Sequence, residues 1–140
     1  MSGMPKRKRG QRVPWRYLPA SAFYAFIYFL SSRSGFPIES PFSGFDKFAH
    51  LALFAVLGML LAWGLAPPEG GRGVRRMLAA LILGAFGGAL DEIHQIFVPG
   101  RNADVWDAAA DVIGTAAGVI LWIFLRRSRR KTLSPDKKNS

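Results

Sequence analysis

Four apolar segments constrain this chain more than any other feature. They run from about Trp15 to Ser32, Phe45 to Ala66, Val74 to Phe97 and Asp104 to Leu125. Each approaches the ~20 residues that an α-helix needs to cross a ~30 Å hydrocarbon core. Turn residues separate them: Gly35, Pro37, Pro41 and Gly44, then Pro67 to Gly71, then Pro99-Gly100. Lone strands would leave backbone polar groups unsatisfied in lipid, so the segments read as helices. The expected fold is all-α, an integral membrane four-helix bundle over residues 15–125, with spans at 15–32, 45–66, 74–97 and 104–125. Basic tails at 1–14 and 126–140 flank it.

Charge refines this reading. The 140 residues carry 19 Lys+Arg against 9 Asp+Glu, a formal charge of +10 that by itself suggests a nucleic-acid partner. The tails, however, hold 12 of the 19 basic side chains and only one acidic one. The middle is nearly neutral, whereas a nucleic-acid groove needs cations spread over a folded face, so no nucleic-acid partner is expected. The chain has no cysteine, which excludes a disulfide framework and any thiolate metal site.

The basic residues also orient the bundle. Six lie up to Arg16, three in the second loop (Arg72, Arg75, Arg76) and seven after Leu125. Only Arg33 and Lys47 in the first loop and Arg101 in the third lie on the opposite side. Both termini are therefore expected in the cytoplasm. Ser31-Ser32-Arg33-Ser34 makes a poor peptidase site, so the first segment is expected to be retained as a span. The tails would rest against the bilayer's anionic headgroups.

With this topology, every ionisable residue inside the spans falls near the outer surface. Asp46, Lys47 and His50 open the second helix, Asp91, Glu92, His94 and Gln95 close the third, and Asp104, Asp107 and Asp111 open the fourth after Arg101. Charges in a span are costly, so such groups face a bundle interior or wet cavity and commonly mark function. Gly84, Gly88, Asp91 and Gln95 share one helical stripe; Asp104, Asp107, Asp111, Gly114 and Gly118 share another. Gly84-x-x-x-Gly88 and Gly114-x-x-x-Gly118 are close-packing motifs. The expectation is that helices three and four pack through these glycines and splay outward around a polar pocket. Its members would be Asp46, Lys47, His50, Asp91, Glu92, Gln95, Arg101, Asp107 and Asp111. Helix one reads as support.

Simpler roles exist for some of these groups. Asp46 and Asp104 stand where helix N-caps belong, Arg101 suits a headgroup anchor, and His94 lies off the acidic stripe. Glu92, Asp107 and Asp111 have no position in a cap. Six carboxylates against Lys47 and Arg101 cannot all ionise at low dielectric, so the pocket should attract a proton, a metal ion or a cationic group. His50, Glu92, Asp107 and Asp111 are the candidate ligands of a divalent metal. No His-Glu-x-x-His and no His pair at i, i+4 supports a known metal motif.

Three stretches together resemble the VanZ-like family of small bacterial membrane proteins. Tyr28-Phe29-Leu30-Ser31-Ser32 precedes Asp46-Lys47-Phe48-Ala49-His50; Asp91-Glu92-Ile93-His94-Gln95-Ile96-Phe97-Val98-Pro99-Gly100-Arg101 follows; Asp107-Ala108-Ala109-Ala110-Asp111-Val112-Ile113-Gly114 comes last. They occur in the family's order between about residues 28 and 120. One departure is that Asp111 occupies a position where the family usually has Asn. The resemblance implies a multi-pass protein of the bacterial inner membrane. The family's founding member is associated with low-level resistance to the glycopeptide teicoplanin, so it also implies a link to cell-envelope antibiotics.

The leading functional expectation is a non-catalytic envelope protein. Its outward acidic pocket would bind an envelope lipid, a glycan precursor or a glycopeptide-type antibiotic, with antibiotic resistance as a role. The alternative is a metal- or acid/base-assisted hydrolase or transferase on a lipid-linked substrate. No Ser or Cys nucleophile is evident, and no catalytic residue is assigned. The third reading is a small cation- or proton-coupled transporter, which the one-sided placement of the acids disfavours.

Overall fold

Proline and glycine set where the helices begin. The computed structural model describes residues 14–34, 43–66 and 73–132. A 3-10 turn, Pro14–Tyr17, leads into α1, Leu18–Ser31, with Pro19 in the first turn, where its missing N–H forfeits no helical bond. α2, Phe45–Leu65, starts after Gly44, which takes a left-handed φ of 87°. α3 covers Gly73–Gln95 and α4 covers Val105–Thr132. No strand occurs among the described residues. The expected turn residues Gly35, Pro37, Pro41 and Pro67 to Gly71 lie outside them, as do residues 1–13 and 133–140 of the tails.

α2, α3 and α4 are each long and apolar enough to cross a membrane. α1 is shorter at 14 residues. Its rise is about 21 Å, and the preceding 3-10 turn adds about 8 Å. Large apolar side chains point outward along the bundle, among them Ile82, Phe86, Ile113 and Phe124, each more than half exposed. Such faces are a liability in water and suit a lipid surround. The one marked difference from the expected boundaries is at the end of α4. The helix continues past Leu125 to Thr132, through Arg126, Arg127, Arg129, Arg130 and Lys131. Arg and Lys are good helix formers.

The glycines do not pack as the stripes suggested. Gly84 and Gly88 of α3 do face α4, where they accommodate the Thr115 and Asp111 side chains. Gly114 and Gly118, however, lie against α2. A methyl group on either would strike the backbone carbonyl of Leu51 or of Ala55. Gly58 of α2 answers from the other side, against the carbonyl of Thr115. α4 is therefore wedged between α2 and α3. The reason is angular: the Asp111/Thr115 edge sits roughly 60° around the helix from the Gly114/Gly118 edge, so one stripe serves two neighbours.

Two apolar clusters complete the packing. Ile27 and Ala20 of α1 meet Phe54 and Leu57 of α2. Ala62, Ala80 and Val119 close the bundle toward its other end, with Met77, Leu81 and Trp122 around them.

Candidate functional site

The end of the bundle opposite that second cluster joins the C-termini of α1 and α3 to the N-termini of α2 and α4. Lys47, in the first turn of α2, is its cationic hub. The Lys47 ammonium donates to Asp104 Oδ2 at 2.7 Å, to Asp46 Oδ2 at 3.1 Å and to Asp107 Oδ1 at 3.2 Å. Asp104 also caps α4, its Oδ1 accepting the Trp106 N–H at 2.8 Å. The Lys47 ammonium, and then that N–H, hold the Asp104 carboxyl below the usual carboxylate range. Asp46 does not cap α2, correcting the sequence expectation. Gly44 holds the cap position without a side-chain bond, and Asp46 stands inside the first turn, paired to Lys47.

Deeper in, the polar groups are buried. His50 Nδ1 lies 2.9 Å from Asp111 Oδ1, joining α2 to α4. Asp91 Oδ2 accepts from Ser31 Oγ at 2.8 Å and from Gln95 Nε2 at 2.9 Å. Asp91 Oδ1, Asp111 Oδ2 and Thr115 Oγ1 are buried without a hydrogen-bond partner. Such atoms are rare in native interiors and call for a proton, a water or an ion.

Glu92 has a structural task that its sequence position hides. Its Oε2 accepts the Asp104 N–H at 2.8 Å, tying the last turn of α3 to the cap of α4. The Pro99-Gly100 turn, where Gly100 takes φ 79°, brings the two within reach. Glu92 also faces inward. One ligand atom each of His50, Glu92 and Asp107 lies within 4.8 Å of the other two, and all three residues are buried. A nitrogen and two carboxylates from three helices thus converge on one point. Asp111, the fourth candidate ligand, stands behind His50.

Two further polar residues belong to this end of the bundle: Arg101, an expected pocket member, and His94, which its place off the acidic stripe left outside the expected pocket. Arg101 Nε donates to the Arg33 carbonyl at 3.3 Å, holding the α3–α4 loop to the end of α1. His94 is clasped by α1, with Tyr28 Oη 3.0 Å from Nδ1 and Ser32 Oγ 2.9 Å from Nε2, and it stacks on the Tyr28 ring. Helix one is more than support, because Ser31 reaches Asp91 in the buried cluster. Ser31 and Thr115 are the residues the sequence reading missed. For Thr115 a signal existed: it lies one turn beyond Asp111 on the same stripe.

The chain matches the VanZ/LLP1 family over residues 6–126, and it belongs to that family. It is also similar to an uncharacterized protein of the fission yeast Schizosaccharomyces pombe, 27% identical over 108 residues, which is 77% of this chain. The aligned part spans 65% of the yeast protein's length. A yeast relative means that family membership alone does not place the chain in a bacterium. No solved structure matches it.

Proposed function

We propose that this VanZ/LLP1 protein is a polytopic protein of the bacterial cytoplasmic membrane, with four spans and both termini in the cytoplasm. Its buried polar cluster faces outward and binds the polar head of an envelope lipid or lipid-linked glycan precursor. The orientation is supported by the clustering of Lys and Arg at the termini and second loop. The ligand reading is carried by one observation. Asp91, Glu92, Asp107 and Asp111 are all buried at one end of a bundle whose outward faces are apolar. Burying four carboxylates is costly, and within a membrane such groups commonly line a binding or transport site. The association of the family's founding member with glycopeptide resistance makes envelope-drug susceptibility the matching cellular phenotype.

A second reading, metal- or acid/base-assisted hydrolysis or transfer on the same kind of substrate, is favoured by the convergence of His50, Glu92 and Asp107. Transport has no such support. The apolar cluster of Ala62, Ala80 and Val119 continues the bundle where a polar path would have to run.

Native mass spectrometry of protein released in mild detergent tests the ligand reading, beside the Glu92→Gln/Asp107→Asn variant. A lipid-sized adduct on the parent that is missing from the folded variant is expected. Identical bare masses would overturn the proposal.

A further inference from the structure

We propose that His50, Glu92 and Asp107 are the protein ligands of a divalent metal ion, with Asp111 as the positioning residue behind His50. The inference goes beyond the ligand reading above and stands without it.

The first support is geometric. Ligands about 2.1 Å from a tetrahedral ion lie roughly 3.4 Å from one another. The three ligand atoms already lie within 4.8 Å of each other, so modest side-chain rotation closes the shell. Each ligand comes from a different helix, and the packing of α4 between α2 and α3 fixes their relative positions.

The second support is the way His50 is held. The residue is 5% exposed, and Asp111 Oδ1 lies 2.9 Å from Nδ1. A carboxylate on one imidazole nitrogen selects the tautomer that carries its proton there. It leaves Nε2 as the basic nitrogen, an arrangement typical of metal-bound histidine.

The third support is charge. The Lys47 ammonium is bonded to one buried carboxylate of this group. It reaches Asp107 while also holding Asp46 and Asp104. Asp91 Oδ1 and Asp111 Oδ2 remain buried with no partner. A dication at the centre of this group offsets the negative charge of its buried carboxylates.

The donor set names the class of metal. One imidazole and two carboxylates, without sulfur, suit Zn²⁺ or Mn²⁺ over soft ions such as Cu⁺. Three protein ligands leave at least one coordination position for water or for an anionic oxygen of a bound head group. A carboxylate-rich pocket alone repels phosphate. A metal in it does not.

The test uses the full chain in detergent, stripped with chelator and titrated with Zn²⁺ and with Mn²⁺ alone. One tightly bound ion per chain is expected. His50→Gln should abolish tight binding. Asp111→Asn should retain one ion per chain with ~10–100-fold weaker affinity, as for other metal sites whose supporting hydrogen bond is altered. His94→Ala, which removes a histidine outside the centre, should leave affinity unchanged. Co²⁺ absorption of the parent gives a readout that needs no variant, through ligand-field bands characteristic of nitrogen and oxygen donors. Absence of stoichiometric metal and of Co²⁺ bands would overturn the proposal. So would equal loss in His94→Ala and His50→Gln. A lipid adduct on metal-free protein would separate this failure from that of the ligand reading.

Discussion

His50 of α2 and Asp111 of α4 meet in the bundle interior, with Nδ1 and Oδ1 2.9 Å apart and both residues at most 5% exposed. The pair clamps the two helices whose backbones approach most closely, where Gly114 and Gly118 meet Leu51 and Ala55. An amide oxygen at position 111 accepts from the same imidazole N–H, so the hydrogen bond survives while the charge does not.

Replacing Asp111 by Ala should therefore cost about 1.5–3 kcal/mol, the range for a hydrogen bond to a charged group. Asp111→Asn should cost clearly less. Thermal unfolding in detergent, followed by circular dichroism, checks the order. Equal losses would show that the charge, rather than the hydrogen bond, holds α2 to α4.

Glu92 and Asp104 form the second strap. Glu92→Ala leaves the Asp104 N–H without its acceptor and should destabilise the protein by about 1–3 kcal/mol. Glu92→Gln keeps an acceptor and should stay within about 1 kcal/mol of the parent. Asp104→Ala removes the α4 cap as well as a Lys47 contact and should lower the unfolding midpoint. Hydrogen exchange at the Trp106 amide reports the cap directly and should accelerate in Asp104→Ala.

Gly114 and Gly118, on the α4 side of the α2–α4 seam, have no room for a side chain. Gly114→Val or Gly118→Val forces the helices apart, because the atoms met are backbone and cannot rotate away. Either change should cost at least the ~1–3 kcal/mol typical of overpacking. Gly73→Ala, where nothing lies within 4 Å of the added methyl, should be silent. Unfolding midpoints of the three variants give the comparison.

Much of this was legible in the sequence, and the reasons differ by element. Spans of ~20 apolar residues bounded by Pro and Gly are a one-dimensional signal, so the helices stood out. Asp91, Glu92, Asp107 and Asp111 stood out because a carboxylate in an apolar segment needs a reason. The partner of Gly114 and Gly118 was not legible. Spacing fixes which residues share a stripe but not which neighbour each edge of it meets. Ser31 was hidden for a related reason: a serine at a helix end is common, and only the docking of α1 brings it to Asp91. Glu92 gave no sign of its bond to Asp104, which depends on how the Pro99-Gly100 turn folds the chain back.

Acid should reveal the Lys47–Asp104 contact. Asp104 is held below the ordinary carboxylate range, chiefly by the Lys47 hydrogen bond, so its stabilising effect is complete above the unfolded pKa of about 3.9. It is lost as pH falls through the lower folded value. The stability difference between the parent and Asp104→Asn should therefore be constant near neutrality and shrink on acidification below that range. Melting curves taken along a pH series test the sign. A gap that widens in acid would refute the assignment.

The most direct measurement of the central claim is zinc X-ray absorption on the reloaded, gel-filtered protein. The account predicts a first shell of nitrogen and oxygen at about 2.0–2.2 Å, with the outer-shell scattering of one imidazole, which His50→Gln removes. Zinc lost on the column, or held without imidazole scattering, would contradict a metal centre at His50, Glu92 and Asp107.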